Sequence, residues 1–218
     1  MITIKDVDGG KLFSSKTAAD MRAALEEAVA QQVYLWQANL AGLDLSELNL
    51  AGAEMQGVNL RGSTLIKTNL TGANLAGKSN LVGAYMEGVL LGRARLTGAD
   101  FTGAWLAKAR MQGVTAAYGI WCDAYLGYTD LSGATFENSD CRRVDFRGAL
   151  LRNTSFLRTN LENAYFWEAD LRDTDFRQAN LLHAEFSLTD RSAAQINRRW
   201  VFRAETVIDD LSPNGEDL

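Results

Sequence analysis

A large apolar residue recurs at every fifth position over most of this chain. Taken as the centre of a five-residue unit, it occupies 31 positions, in one frame from Leu35 to Leu75 and in a second from Leu81 to Phe186. One added residue near Lys78 separates the two frames. The centre is Leu, Phe or Met in every unit except three, which hold Ala116, Trp121 and Cys141.

The position two residues before each centre is equally restricted. It holds Ala, Val, Ser, Thr or Gly in all units but two, where it is Leu43 or Leu48. One large and one small inward residue per unit define a narrow packed interior. A period of five matches neither the 3.6-residue period of a helix nor the two-residue period of a strand. The pattern therefore predicts a solenoid that turns a corner in every unit.

The pattern divides the chain into three segments. Residues 1–32 predict a cap made of a hairpin, closed by Asp8-Gly9-Gly10, and a helix. Thr17 and Asp20 resemble a capping box at the start of that helix. One helix face carries Met21, Leu25, Ala28 and Val29.

The solenoid is predicted to span residues 33–191, because the next centre would be the charged Arg191. Residues 192–218 predict an amphipathic helix that stops before Pro213, followed by a tail. This helix either caps the last coil or also pairs with a second chain. Its apolar residues are Ile196, Trp200, Val201, Val207, Ile208 and Leu211.

The repeated phrase resembles the signature of the pentapeptide-repeat family. Three units show it clearly: Ala38-Asn39-Leu40-Ala41-Gly42, Ala73-Asn74-Leu75-Ala76-Gly77 and Ala99-Asp100-Phe101-Thr102-Gly103. The resemblance implies an all-β solenoid, a right-handed quadrilateral β-helix with four units per coil and nearly eight coils. Some relatives of this type protect type II topoisomerases from poisons. The resemblance therefore implies DNA gyrase or topoisomerase IV as a partner, bound by mimicry of DNA, and a possible homodimer through the C-terminal helix.

The corners of the solenoid are marked by glycine. Of the 19 glycines, 13 lie two residues after a centre, from Gly42 to Gly148. A type II turn requires a positive φ at its second central residue, which favours glycine. From Asn153 onward this position holds no glycine, so we expect other corner types there.

Composition and charge limit the classes of function that the chain can have. No run of about 18 apolar residues occurs, which indicates no membrane span. Met1 to Asp6 lacks the basic start and apolar core of a signal peptide, so we expect a cytoplasmic location. The net charge of -5 disfavours direct nucleic-acid binding.

The acidic residues concentrate in the C-terminal half. Residues 114–218 carry 11 Lys and Arg against 17 Asp and Glu, a net charge of -6. Arg142 to Arg158 form a basic cluster inside this half, so a solvated face of opposite charges is the alternative to an acidic binding surface. The candidates for the acidic surface are Asp130, Asp140, Asp145, Asp170, Asp173 and Asp175.

Stacking every fourth unit places several aromatic residues on one face. Exposed aromatic patches often mark interaction sites, but aromatic ladders also stabilise sheets, and the sequence leaves both interpretations open. The candidates are Tyr85, Trp105, Tyr125, Tyr128, Tyr165 and Trp167. A neighbouring face carries an amide ladder, interrupted by Ile120, that we expect to support the backbone.

Enzyme motifs are absent from the sequence. The glycines follow the repeat rather than a phosphate-binding loop, and His183 is the one histidine, which excludes histidine-based triads and makes a zinc site improbable. We expect no cofactor and no metal, and unpaired thiols at Cys122, pointing outward, and Cys141, pointing inward. Two hypotheses follow: a nonenzymatic solenoid that binds a topoisomerase, and a scaffold or assembly module, perhaps phage-associated, that docks a protein through the aromatic face.

Overall fold

A computed structural model describes residues 1–187 of the chain. The predicted C-terminal helix and its six apolar residues lie outside the described residues. The chain begins with strand β1 (Ile2–Lys5) and strand β2 (Lys11–Ser15), which pair antiparallel with Ile4 opposite Phe13. Helix α1 (Met21–Ala30) follows. The hairpin and helix therefore occur where the sequence pattern places them.

The start of α1 differs from the sequence prediction. Asp20 is the N-cap, and its carboxylate accepts a hydrogen bond from the backbone N–H of Ala23 at 2.9 Å. Thr17 lies before the helix, and its hydroxyl donates to Glu27 Oε2 at 3.2 Å. The proposed capping box is therefore wrong: an aspartate caps a helix start by itself, and Thr17 instead joins the hairpin to α1.

The N-terminal elements lie against the first coil. Leu25 and Ala28 of α1 are buried in the same apolar cluster as Leu35. Arg22 donates through Nη2 to the carbonyl of Ser46 at 2.6 Å. The carbonyl of Lys5 accepts from the N–H of Asn39 at 2.8 Å. These contacts cover part of an end that would otherwise expose the core.

Parallel bridges define the coil. They join residues 20 positions apart, as at Asp44 and Thr64, or 21 positions apart where the extra residue near Lys78 intervenes, as at Asn59 and Asn80. A 20-residue separation is four five-residue units, so each coil contains four units. The bridged residues precede the centres and point outward, whereas the centres from Leu35 to Phe186 are all buried.

Phenylalanines fill the C-terminal half of the core in two stacked columns. Phe146, Phe166 and Phe186 stack with ring centroids 5.1 and 4.9 Å apart. A second column contains Phe156 and Phe176. Its rings pack edge to face against those of the first column, with interplanar angles between 72° and 89°. Such alternation of stacked and edge contacts is the arrangement that aromatic rings favour.

The corners are alike along the described coils, which corrects the expectation of other corner types beyond Gly148. The residue two after the centre has a positive φ in glycine and nonglycine units alike, for example 63° at Gly103 and 59° at Arg158. Values near 57° belong to the left-handed α region, which other residues enter at a cost. At most of these corners the N–H of this residue donates to a carbonyl of the next coil, as Arg158 does to Arg177 at 3.2 Å. Nonglycine residues adopt the same conformation, so glycine eases the corner but is not required.

None of the helices that the structure describes is long and apolar enough to cross a membrane.

Candidate protein-binding surfaces

The aromatic face contains a stack of three rings on consecutive coils. Bridges join Tyr85 to Trp105 and Trp105 to Tyr125. The first pair has ring centroids 6.3 Å apart and planes inclined by 19°, and the second has centroids 4.2 Å apart and planes inclined by 18°. Tyr85 and Trp105 remain 39% and 41% exposed. We call these three residues the aromatic ladder.

Small neighbours make room for the aromatic ladder. Ala107 and Gly127 occupy the outward position after the centre, beside Trp105 and Tyr125. A Cβ on Gly127 would overlap the ring of Tyr125, so that ring lies against the bare backbone. The repeat thus places a large and a small outward residue side by side in these two units.

Polar groups border the aromatic ladder at both ends. The hydroxyl of Tyr85 donates to Glu87 at 2.9 Å, and this hydrogen bond raises the pKa of Tyr85. The guanidinium of Arg147 lies 6.0 Å from the ring centroid of Tyr125, at the upper limit of a cation–π contact. Burial raises the pKa of Tyr125. Both tyrosines are therefore neutral at physiological pH.

The other three aromatic candidates lie apart from the aromatic ladder. Tyr128 is a corner residue with φ 59°, and its ring covers Gly148. Asp145 separates Tyr125 from Tyr165 on the same face. The indole N–H of Trp167 donates to Glu185 at 3.1 Å. These side chains are exposed, but they form no stack with the aromatic ladder in residues 1–187.

Arginines neutralise most of the acidic candidates. The recurring geometry pairs an aspartate with an arginine two residues later, and at Asp170 a second guanidinium arrives from Arg152. The pairs are Asp140 with Arg142 at 2.7 Å, Asp145 with Arg147 at 2.6 Å, Asp170 with Arg172 at 2.7 Å and Asp175 with Arg177 at 2.8 Å. Asp130 accepts instead from Gln112 at 2.7 Å, and Asp173 is exposed.

Hydrogen bonds from the arginines stabilise the charged carboxylates. The hydrogen bond from Arg177 lowers the pKa of Asp175. Burial raises the pKa of Asp140, but hydrogen bonds with Arg142 and Cys122 outweigh it, so the pKa of Asp140 is lowered overall. These aspartates lie on four different faces of the rod, and four of the six candidates are closely paired with arginines, so they form no continuous negative stripe within residues 1–187.

The amide face supports the backbone, as expected. Asn59 donates through Nδ2 to Asn39 Oδ1 on the preceding coil at 3.1 Å, and its own Oδ1 accepts from the N–H of Arg61 at 3.2 Å. Asn180 and Asn160 repeat the inter-coil bond at 2.9 Å. The amide groups of these side chains therefore form their hydrogen bonds within the rod.

Both cysteines are free and buried. Cys141 points inward as expected, and burial raises its pKa. Cys122 holds the outward position after a centre, but it is only 7% exposed, because Arg142 reaches from the next coil and places Nη2 3.9 Å from its sulfur. An outward position in the repeat is thus covered when the next coil carries a long side chain. Among the described residues, no group of three His, Cys, Asp or Glu side chains could hold a metal ion.

Two strongly exposed aromatic residues were missed by the sequence analysis. Tyr34 is 70% and Trp36 is 62% exposed. They flank Leu35, the first centre, and therefore point outward at the N-terminal end of the rod. The sequence could have identified them, because they are two aromatic residues in the outward positions of the first repeat unit, which has no preceding coil to cover it.

Comparisons with known proteins agree with this architecture. The sequence profile described as pentapeptide repeats matches in eight copies, over residues 21–57, 44–77, 79–115, 122–153, 129–167 and 154–190. No curated protein sequence matches the chain significantly.

Several solved structures match the chain at low sequence identity. HetL, a pentapeptide repeat protein involved in heterocyst differentiation regulation in Nostoc sp. strain PCC 7120, is 20% identical over 78% of this chain and 90% of HetL, with a TM-score of 0.41. Full-length QnrB1, a plasmid-mediated fluoroquinolone resistance protein, is 16% identical over 75% of this chain and 90% of QnrB1, with a TM-score of 0.37. Rfr23 from Cyanothece 51142 is 24% identical over 59% of this chain and 88% of Rfr23, with a TM-score of 0.29. These low similarities carry no argument about a partner.

The profile matches together cover more than half of the sequence, and they fall on the same five-residue units that the bridges stack into coils. The chain belongs to the pentapeptide-repeat family.

Proposed function

We propose that this protein is a nonenzymatic protein-interaction module, a right-handed β-helix whose partner docks on the aromatic ladder. The observation that carries the proposal is the stack of Tyr85, Trp105 and Tyr125, partly exposed on three consecutive coils. Aromatic side chains supply large, rigid contact area and are enriched at protein interfaces.

The stacking geometry selects the kind of contact that the ladder offers. Trp105 has a ring neighbour on each side along the rod, so its faces are covered and its edge is exposed. Stacking of a nucleobase or a cation needs a free ring face. The exposed edges instead suit aliphatic and peptide groups of a folded partner.

Charge pairs at the rim complete the surface. Lys108 lies 3.8 Å from Glu87 at one end, and Arg147 pairs with Asp145 at the other. An apolar centre with a polar rim is the usual anatomy of a protein interface. The paired charges provide orientation, and the rings provide most of the contact area.

Simultaneous replacement of Tyr85, Trp105 and Tyr125 by Ser tests the proposal. Proteins captured from the native host by the wild-type chain should be lost from the triple variant while the circular dichroism spectrum stays the same. Trp167→Ser, which removes an exposed aromatic from the same face outside the ladder, is the matched control and should retain the partner. Retention by the triple variant would contradict the proposal, and loss of its folded spectrum would identify the ladder as structural.

A type II topoisomerase, bound by DNA mimicry, is the second candidate partner. The net charge of -5 and the acidic C-terminal half favour it. The pairing of Asp140, Asp145, Asp170 and Asp175 with arginines weakens it, because these pairs leave little net negative charge. DNA gyrase binding stays a prediction, as does homodimer formation through residues 192–218.

A supercoiling assay distinguishes the two candidates. Inhibition or protection of purified gyrase or topoisomerase IV at micromolar protein supports mimicry. In that case Arg142→Gln and Arg147→Gln should strengthen the effect, since each leaves an aspartate unpaired. No effect on either enzyme would remove the topoisomerase hypothesis and leave docking on the aromatic ladder untouched.

A further inference from the structure

The N-terminal end of the rod presents an aromatic pair whose ring faces are open. Tyr34 and Trp36 lie on the first coil, and the residues bridged or aligned with them on the second coil are Glu54 and Gln56, which are not aromatic. Neither ring makes a ring–ring or cation–π contact within residues 1–187. This separates the pair from Trp105, whose faces are covered on both sides.

The backbone at the same place has an unpaired edge. In the second coil, the carbonyls of Glu54 and Gln56 accept hydrogen bonds from the N–H groups of Leu35 and Gln37, each at 2.8 Å. The equivalent first-coil carbonyls, those of Tyr34 and Trp36, have no such partner in the described part of the chain. The N–H of Tyr34 is also unpaired there.

Other sides of the first coil are covered, which makes this opening specific. β1 supplies the carbonyl of Lys5 to Asn39, and Val7 donates to the carbonyl of Gln37 at 3.0 Å. Glu26 of α1 accepts from the N–H of Asn49 at 3.3 Å. The hairpin and the helix thus protect their own sides and leave the side of Tyr34 and Trp36 free. An open strand edge is a template for an added strand.

A shallow furrow meets this edge at Tyr34. It consists of three adjoining depressions between the C-terminal half of α1 and the first two coils. Their lining contains carboxylate, amide and apolar side chains and no lysine or arginine. The principal lining residues of the furrow are Glu26, Val29, Tyr34, Trp36, Ala51 and Glu54.

The charge at the furrow favours a cation. Glu54 accepts from Asn74 at 2.8 Å and lies 3.6 Å from Arg95, with its side chain 40% exposed, so its charge is already partly neutralised. Glu26 is the lining carboxylate that has no basic partner within residues 1–187. The last turn of α1 contains no basic residue, so the negative end of the helix dipole is uncompensated by its own side chains. A basic side chain entering the furrow would meet carboxylates, carbonyl dipoles and two aromatic faces.

We infer that this end binds an extended basic segment of another protein as an added β-strand. The backbone of the segment pairs with the N–H and C=O of Tyr34 and the C=O of Trp36, which is the mode of strand addition used by many peptide-binding domains. A lysine or arginine of the segment packs over Tyr34 or Trp36, where cation–π attraction adds to the pull of Glu26 and Glu54. This site is separate from the aromatic ladder and does not depend on it.

Selection of a random-peptide library on the full chain tests the inference. Enriched sequences should be extended, with lysine or arginine alternating with apolar residues. A selected peptide should bind Trp36→Ala about tenfold more weakly, the loss expected for a desolvated cation–π contact, and Glu54→Gln several-fold more weakly. Trp167→Ala removes another exposed tryptophan, 45% exposed against 62% for Trp36, at a distant place on the rod and should bind like the wild type.

Backbone pairing has its own test in the peptide. Methylation of a peptide nitrogen that donates to the edge should abolish binding, and methylation of the next nitrogen along, which faces away, should not. The inference is overturned by enrichment of acidic or helical peptides, by no enrichment, by equal binding to Trp36→Ala, or by indifference to both methylations. Self-association of the chain that Trp36→Ala removes in sedimentation experiments would also overturn it, in favour of a second copy.

Discussion

The indole Nε1 of Trp121 lies 2.5 Å from the point where a side-chain carbon on Gly119 would begin. Gly119 holds the small inward position of the unit that is centred on Trp121, and Trp121 is fully buried and stacked on Phe101 at 4.0 Å. The unusually large centre is therefore accommodated by removal of the neighbouring side chain. The rod thus absorbs the extra volume of Trp121 in its interior at this point.

Gly119→Ala should destabilise the protein by about 1–3 kcal/mol, the usual cost of overpacking a filled core. The same Cβ would also lie 3.0 Å from the carbonyl of Ala116. Urea denaturation measures the change. The free energy of unfolding should recover in part when Trp121→Phe is added, because the smaller ring vacates the space and removes an indole N–H that has no hydrogen-bond partner. Strictly additive effects of the two substitutions would show that the two sites do not clash.

Gly103→Ala should cost about 1 kcal/mol through backbone strain alone. Gly103 has φ 63° and a Cβ there would meet nothing within 4 Å, so no steric clash contributes. Gly92→Ala is the matched control, because Gly92 lies outside the positive-φ corner positions and its added Cβ would meet only Gln112 Oε1 at 3.9 Å. Thermal denaturation should show a loss for the first variant and little change or a small gain for the second. Equal effects would mean that corner conformation does not limit stability.

Trp105 and Tyr125 should show a favourable coupling energy of about 0.5–1.5 kcal/mol in a double-mutant cycle of alanine substitutions. Their centroids are 4.2 Å apart, whereas Tyr85 and Trp105 are 6.3 Å apart. The cycle for Tyr85 and Trp105 should therefore give a smaller coupling under the same conditions of chemical denaturation. A larger coupling energy for Tyr85 and Trp105 than for Trp105 and Tyr125 would rule out ring stacking as the cause of the coupling.

Asp123 should titrate below its ordinary range. The guanidinium of Arg143, one coil later, donates to both carboxylate oxygens of Asp123 at 2.6 and 2.7 Å, and this hydrogen bonding lowers its pKa. Because the folded pKa is depressed, the stabilisation is fully present above the unfolded pKa of about 3.9 and disappears as the pH falls through the folded pKa. Carboxyl chemical shifts measured by NMR should show the lowered pKa of Asp123 in the wild type and a higher pKa in Arg143→Gln. An unchanged pKa in that variant would assign the shift to another cause.

Most of the inward architecture was predictable because it is local and periodic. The same apolar choice every five residues identifies Leu35 to Phe186 as core, and all of these centres are buried. Cys141 carries a thiol instead of a hydrocarbon side chain, but it occupies a centre and is buried for the same reason. The corner conformation was less predictable, since the absence of glycine at Arg158 or Asn153 suggested a change of turn that the ladder bonds on either side prevent.

The outward surface depends on residues that are one coil apart, and the repeat itself does not say what they do when stacked. The sequence predicts that Tyr85, Trp105 and Tyr125 lie on one side of the rod. That their rings stack, so that both faces of the Trp105 ring are covered, is visible only in the tertiary structure. Cys122 was expected to point outward, and its outward side chain is covered by Arg142, which lies 20 residues later on the next coil. The pairing of the acidic residues with arginines is instead mostly local, because each arginine lies two residues after its aspartate. Arg152, which reaches Asp170 on the next coil, is the exception among these pairs.

From its five-residue period alone, this chain specifies a narrow solenoid with a filled interior, since every unit buries one large and one small residue. Four units per coil is what the family resemblance implies, and the bridges between residues 20 positions apart agree with it. The tertiary structure decides which surfaces remain available, because hydrogen bonds and ring stacking between coils consume some outward groups and leave others. The free edge at Tyr34 is the clearest case. It exists because the hairpin and α1 cover the other sides of the first coil, and no pattern within the repeats records where they dock.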